Sequence, residues 1–177
     1  MASYYYLVAT LPMLRYDGAL PFDTDSFLDI CKNKVSNADY QTLSDALMGK
    51  SSSHLFLKKW QKFSLMVQNE LNEQRSRKLG ISSTKYRNEG EKEYRISEAV
   101  RHALSNENVL DAEISLLVLK WKFLDELSAL HVFDLEGLLS YAIKLQLLQR
   151  KSLFTCEGGN AEFKRLFSNI QSEIEKI

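Results

Sequence analysis

The residues able to do chemistry are few, and they are scattered along the chain. Three histidines, His54, His102 and His131, stand far apart. A zinc site needs clustered Cys and His, commonly as HxxxH or CxxC, and neither spacing occurs. Cys31 and Cys156 have no partner at ligand spacing and read as free thiols of a reducing compartment. The phosphate-cradling patterns GxxxxGK and GxGxxG are missing, and "GGN" alone does not make one. The GxSxG nucleophile elbow is missing too.

Carboxylates do occur close together, as Asp111 with Glu113 and as Asp125 with Glu126. An acid/base pair would need one member buried with a raised pKa. Asp111 instead falls in the first turn of a predicted helix, where its charge complements the helix dipole. Glu126 falls opposite an apolar seam and Asp125 at its border, both within reach of solvent. A four-helix carboxylate metal site would want Glu-x-x-His, which is not present. Trp60, Phe63, Trp121 and Phe123 suggest base stacking, but their largely helical spacing reads as core. The expectation is a protein that is not an enzyme, with no catalytic residues, no metal and no cofactor.

The totals agree with that reading. Lys+Arg and Asp+Glu are equal at 23 each within 177 residues, so no global field draws the chain to nucleic acid. Apolar runs stop well short of the ~18–20 residues that cross a bilayer, so no direct membrane insertion is expected. "MASYYYLVATLPML" has no basic region before its short apolar core, and the expected location is cytoplasmic.

Two prolines and seven glycines in the whole chain suit long helices. "SYYYLVATL" favours a strand by propensity, although no second strand is evident to pair with it. Pro12 and Pro21 bracket a loop. Asp23 and Ser36 are N-caps of the next two helices, and Gly49 closes the second. Phe56, Trp60, Phe63, Val67 and Leu71 mark one face of a serine-capped helix over 51–78. Residues 72–95 are polar and read as a mobile surface connection. Ser97 caps a short helix, and Leu110, Ile114, Leu117, Trp121 and Leu124 form a seam on the one after it. "EGGN" at 157–160 breaks the chain before a last helix. Its stripe of Phe163, Leu166, Phe167, Ile170 and Ile174 is expected to dock on the others. The fold class is all-α, a bundle of seven to eight helices in one domain over 1–177. Within that domain the flexible connection 72–95 allows a division into two lobes, 1–71 and 96–177.

The helix over 135–150, capped by Asp134, is apolar around most of its circumference. Glu136, Gly137, Ser140, Lys144 and Lys151 make its wet face, yet Leu147 lies inside that stripe and Ile143 borders it. Such a helix is central in its bundle or touches something beyond it. Ile143, Lys144, Leu147 and Lys151 are accordingly the candidate partner-binding residues. Gln146 and Gln149 fall toward the apolar side, so their amides need partners if buried.

"SYYYLVATLPML" and the block "WKFLDELSALHVFDLEGLLSYAIKLQLLQR" over 121–150 resemble an uncharacterised bacterial family encoded among V-type (A/V-type) ATPase genes. More distantly both are similar to the C subunit of those enzymes, called d in eukaryotes. The resemblance covers residues 1–47 and 109–151. It implies a non-catalytic helical subunit or accessory factor, linking the central rotor stalk to the membrane ring. The partners implied are rotor-stalk and membrane-ring subunits, and the location is cytoplasmic, peripheral to the inner face of the membrane. A transient adaptor or assembly chaperone for ATPase subunits is the alternative, with a small helical enzyme behind it.

Overall fold

The computed structural model describes residues 4–82, 86 and 88–174. Among them the chain forms eight helices: α1 (Tyr5–Thr10), α2 (Thr24–Cys31), α3 (Asn37–Leu47), α4 (Leu55–Leu79), α5 (Tyr94–Leu104), α6 (Val109–Leu127), α7 (Leu135–Ser152) and α8 (Cys156–Ile174). No strand occurs in the described residues, and the protein is all-α. The tyrosine-rich start that favoured a strand is helical as α1. A lone strand would leave its backbone groups unpaired, whereas a helix satisfies most of its own. Tyr4 anchors it: its N–H donates to Phe133 O at 2.8 Å and its hydroxyl donates to the Asp39 carboxylate.

Capping sets most of the boundaries. Asp23 accepts from Ser26 N–H at 2.8 Å, Ser36 from Asp39 N–H at 3.1 Å and Asp134 from Gly137 N–H at 2.9 Å. Gly49 follows α3 at φ +68 and Gly80 caps α4 at φ +66, left-handed conformations that favour glycine. Two expected caps fall elsewhere. The serines at 51–53 precede α4 in a turn, with Ser52 Oγ accepting from His54 N–H at 3.2 Å. Ser97 lies inside α5, buried, and its hydroxyl donates to Glu70 at 2.8 Å.

Burial divides into two clusters. The larger surrounds α7 with α1, α2, α3, the start of α4 and α6, and includes the fully buried Phe27, Leu43, Leu117, Leu124, Leu138 and Leu139. The smaller joins Phe63 and Val67 of α4, Ile96, Val100 and Ala103 of α5, and Leu116 of α6. Phe63 stacks on Phe123 with ring centroids 3.9 Å apart. Trp60 packs against both clusters, and both draw on α4 and α6.

The two clusters do not follow the chain division at 71 and 96. Position 71 falls inside α4, which continues to Leu79. The polar stretch after it is tied back along α4. Asn69 donates to Asn88 O and accepts from Asn88 N–H, both at 3.0 Å, and Lys92 reaches Glu73 at 3.1 Å. Its charges are exposed from 88 to 95, as a solvated loop requires, and Glu91 and Lys92 also pair with Lys62 and Glu73 on α4.

The last helix departs furthest from expectation. Helix runs unbroken through Gly158 and Gly159, where "EGGN" was expected to break the chain before the last helix. It also does not dock: every residue from Ser152 to Ser172 is exposed, including Phe163, Leu166, Phe167 and Ile170. The side chain of Ile174, the fifth of that stripe, lies outside the described residues.

Phe63 is 1% exposed and its ring carries the contact between α4 and α6. Phe63→Ala should lower unfolding stability by about 3–5 kcal/mol. Urea denaturation checks this, and the signals of Trp60 and Trp121 should move together, because Trp60 belongs to both clusters and Trp121 to the larger.

Candidate functional site

The residues expected to meet a partner turn inward. Ile143 is 1% exposed and Leu147 8%. Lys144 pairs with Asp125 at 2.6 Å and lies 5.5 Å from the centre of the Trp121 ring. Lys151 donates to Tyr16 O at 2.7 Å and sits 4.3 Å over the Tyr16 ring. The wet face inferred for this helix is the face that packs on α6 and on the loop after α1. Angular patterning misassigns it because lysine stems lie along apolar surface while their ammonium groups find partners. Gln146 donates to Leu47 O at 3.0 Å and Gln149 accepts from Thr24 N–H at 3.2 Å. Of the four candidates Leu147 borders a cleft on the α4 side and Lys144 the edge of another beside α1.

Folding gathers some of the dispersed titratable groups. His131, Asp134 and Glu136 have ligand-type atoms within 4.8 Å of one another, and His54 Nε2 lies 3.8 Å from Glu136 Oε1. Sequence distance between His54 and His131 hid this meeting. The geometry fits helix capping: Asp134 accepts from Gly137 N–H and faces His131 Nδ1 at 2.6 Å, and Glu136 lies in the first turn. A cation placed there would face the same N–H dipoles that these carboxylates complement. Burial raises the Asp134 pKa, but hydrogen bonding from His131 and Gly137 N–H more than offsets it, leaving the carboxyl below its ordinary value.

Glu70 makes the other cluster. Burial pushes its carboxyl up, while bonds from Gln74 at 2.7 Å and Ser97 at 2.8 Å, together with Lys92 at 3.4 Å, bring it net down. The space beside it is about 10 Å³, room for no more than a water. An ionised carboxylate with its acceptors occupied ties α4 to α5 and has no substrate to act on.

The feature with a surface to offer is the end of the bundle at α1. Tyr5 is 53% exposed, Tyr6 86% and Phe133 41%. The Tyr5 ring meets Tyr6 edge-on at 5.6 Å and Phe133 at 4.9 Å. Met13, Leu130 and Val132 are exposed as well. Clefts flank α1 on both sides. One, of about 340 Å³, is lined by Val8, Pro12, Met13, Val132 and Tyr141; the other, of about 460 Å³, by Tyr4, Tyr6, Leu7, Thr10 and Lys34. A ridge of exposed rings between apolar clefts is what a protein partner grips: aromatic anchors dominate binding energy, and clustered exposed apolar residues mark contact sites. The tyrosines were readable in advance. Once α1 is taken as helical, Tyr4, Leu7 and Val8 share one face and Tyr5 and Tyr6 look outward. Phe133 was not readable, since it stands in a loop and reaches the patch through the Tyr4 N–H bond.

A family model described as "Protein of unknown function (DUF2764)" matches residues 90–174, a stretch that contains α5, α6, α7 and α8. No curated protein and no solved structure matches the chain significantly.

Asp134 holds the loop carrying Phe133 onto α7. Asp134→Ala should cost about 1–2 kcal/mol through the lost cap. Because the folded pKa lies below the unfolded value of about 3.9, the ionic stabilisation is complete above that value. It is lost as pH falls through the lower folded pKa. Denaturation curves between neutral pH and acid should show this loss in the wild type and a flatter acid limb in the variant.

Proposed function

We propose that the protein is a non-catalytic helical subunit or accessory factor of a bacterial V-type ATPase, acting as a C-subunit-like link between the central rotor stalk and the membrane ring. The observation that carries this reading is the aromatic ridge of Tyr5, Tyr6 and Phe133. Its two tyrosines come from the first block of the resemblance and its phenylalanine from the second, so the ridge lies where the two blocks touch.

The packing between the blocks supports a mechanical role. Residues 1–47 and 109–151 supply most of the larger core, with Phe27, Leu43, Leu117, Leu124, Leu138 and Leu139 fully buried in it. Dense interiors transmit strain rather than absorb it. A link that carries torque needs that stiffness and a grip at its surface, and it needs no reaction centre. The titratable clusters at Asp134 and Glu70 are engaged in capping and in joining helices. No helix among the described residues is long and apolar enough to cross a membrane, so contact with a ring would run through its protein subunits.

Tagged full-length protein, captured from membranes of its native host, should retain rotor-stalk and ring subunits in stoichiometric amounts. Tyr6→Ser with Phe133→Ser should weaken that retention by about 30-fold, the loss of an aromatic anchor worth ~2 kcal/mol. Thermal unfolding of the purified variant should stay close to wild type, because Tyr6 is almost wholly exposed. Capture of no ATPase subunit by the wild type would end the proposal. Substoichiometric, transient capture would replace the structural link with an assembly factor.

A further inference from the structure

Two features of this fold lack a counterpart within one copy of the chain. The first is α8, whose Phe163, Leu166, Phe167 and Ile170 form an apolar stripe on a helix exposed along its described length. The second is a cleft of about 530 Å³ between α4, α6 and α7. Trp60, Val67 and Leu71 of α4 line one wall, with Leu147 and Leu153 opposite. Helix-on-helix packing is loosest here, where the two core clusters part. We propose that this cleft is the seat of α8 from a second copy of the chain, exchanged reciprocally so that each copy's α8 fills the other's cleft.

Dimensions agree. Trp60 to Leu71 along α4 spans about 16 Å at 1.5 Å per residue, and α8 beyond Gly159 spans about 20 Å. The groove therefore accepts the whole apolar part of α8 as a helix.

Charge agrees too. Lys120 projects into the cleft and, among the described residues, its ammonium makes no hydrogen bond or ion pair. Burial pushes its pKa down, and only the more distant Glu113 counters that. Glu113 itself is engaged by Arg150 at 2.7 Å, the other cation of the cleft wall. What the site lacks is a carboxylate. On α8 Glu162 directly precedes Phe163, at the edge of the stripe. Its partner is Arg165 on the same exposed surface, a pair that costs little to redirect.

The second copy is favoured over the chain's own α8 by the connection. Leu153 stands at the rim of the cleft, and α8 begins at Cys156 and continues as helix through both glycines. Its stripe starts at Phe163, about 10 Å of helix beyond Cys156. To enter its own cleft the helix would have to reverse in the connection 153–155, breaking the bonds that Phe154, Thr155 and Gly158 N–H make there to Lys151 O, Leu153 O and Thr155 Oγ1. A second copy receives it in the conformation observed. Reciprocity also doubles the contact, from one helix in one groove to two, and a two-fold arrangement closes without leaving either stripe open. The ridge at α1 contributes nothing to the cleft lining, so this inference stands apart from the ATPase reading.

Sedimentation equilibrium and light scattering on the full chain at micromolar concentration test it. The wild type should be a dimer. Phe163→Asp with Phe167→Asp should give a monomer whose thermal midpoint is lowered by no more than dissociation requires. Both positions lie outside the core, so misfolding cannot imitate the result. Lys120→Glu should weaken the dimer at least tenfold, and Glu162→Lys in that background should restore it. A wild-type monomer at every concentration would overturn the proposal, whether its α8 is open to protease or closed on its own chain. A dimer that the stripe variant leaves intact overturns it as well. So does a dimer lost with the stripe but indifferent to the charge exchange, since that is α8 pairing with α8.

Discussion

The structure depends on the burial of α7 around nearly its whole circumference. A helix in that position cannot leave polar side chains unsatisfied, because each uncompensated group costs on the order of 1–3 kcal/mol. Its sequence nevertheless contains serine, tyrosine, lysines and glutamines. Each of them fixes a neighbour. Ser140 bonds Ser128 at the end of α6, and Lys144 reaches Asp125 one turn earlier. Tyr141 donates to Pro12 O and Lys151 to Tyr16 O, which holds the loop after α1. Gln146 reaches the end of α3 and Gln149 the start of α2. The apolar contacts bring the elements together, and these polar contacts specify which turn faces which.

The same arrangement engages several titratable groups. A catalytic group needs both a perturbed environment and an opening to substrate. Four groups with displaced pKa values are committed to structure, Lys120 in its cleft being the exception: burial raises Cys31 to about 11 and Tyr141 to about 12, within the larger core or against it. The depressed carboxyls of Glu70 and Asp134 are held by hydrogen bonds whose donors they satisfy. Environment has moved these groups away from the neutral range in which proton transfer is useful.

Much of this fold was legible because helical periodicity and capping chemistry are local. Asp23, Ser36, Asp134 and Gly49 act where their types and positions suggest. Phe56, Phe63 and Val67 are buried as their spacing requires. What was not legible depends on tertiary contact. Ser97 looks like a cap and is a buried donor to Glu70, which only the apposition of α4 and α5 reveals. Lys144 and Lys151 look like a solvent face and become bonds to α6 and to a loop more than a hundred residues upstream. The α1 ridge was half visible, since Tyr5 and Tyr6 belong to a pattern and Phe133 to a loop. Gly158 and Gly159 signal a break by propensity, at about 1 kcal/mol each, and a helix forms across them all the same.

That last departure carries weight of its own. Glycine is a poor helix former, and most helices in proteins are held by tertiary packing of an apolar face rather than by propensity. α8 has two glycines near its start and exposes its apolar stripe, so neither propensity nor packing within the chain accounts for its stability. Amphipathic helices owe most of their stability to the surface that covers the apolar face. The stripe of α8 is narrow and regular, the signature of one specific contact rather than of a general affinity for apolar phases. Its charged residues include both Glu162 and Arg165, which removes the cationic bias that holds amphipathic helices to anionic membranes. These features favour a protein surface as its cover, and a groove of similar length with an unpaired ammonium exists on the same fold.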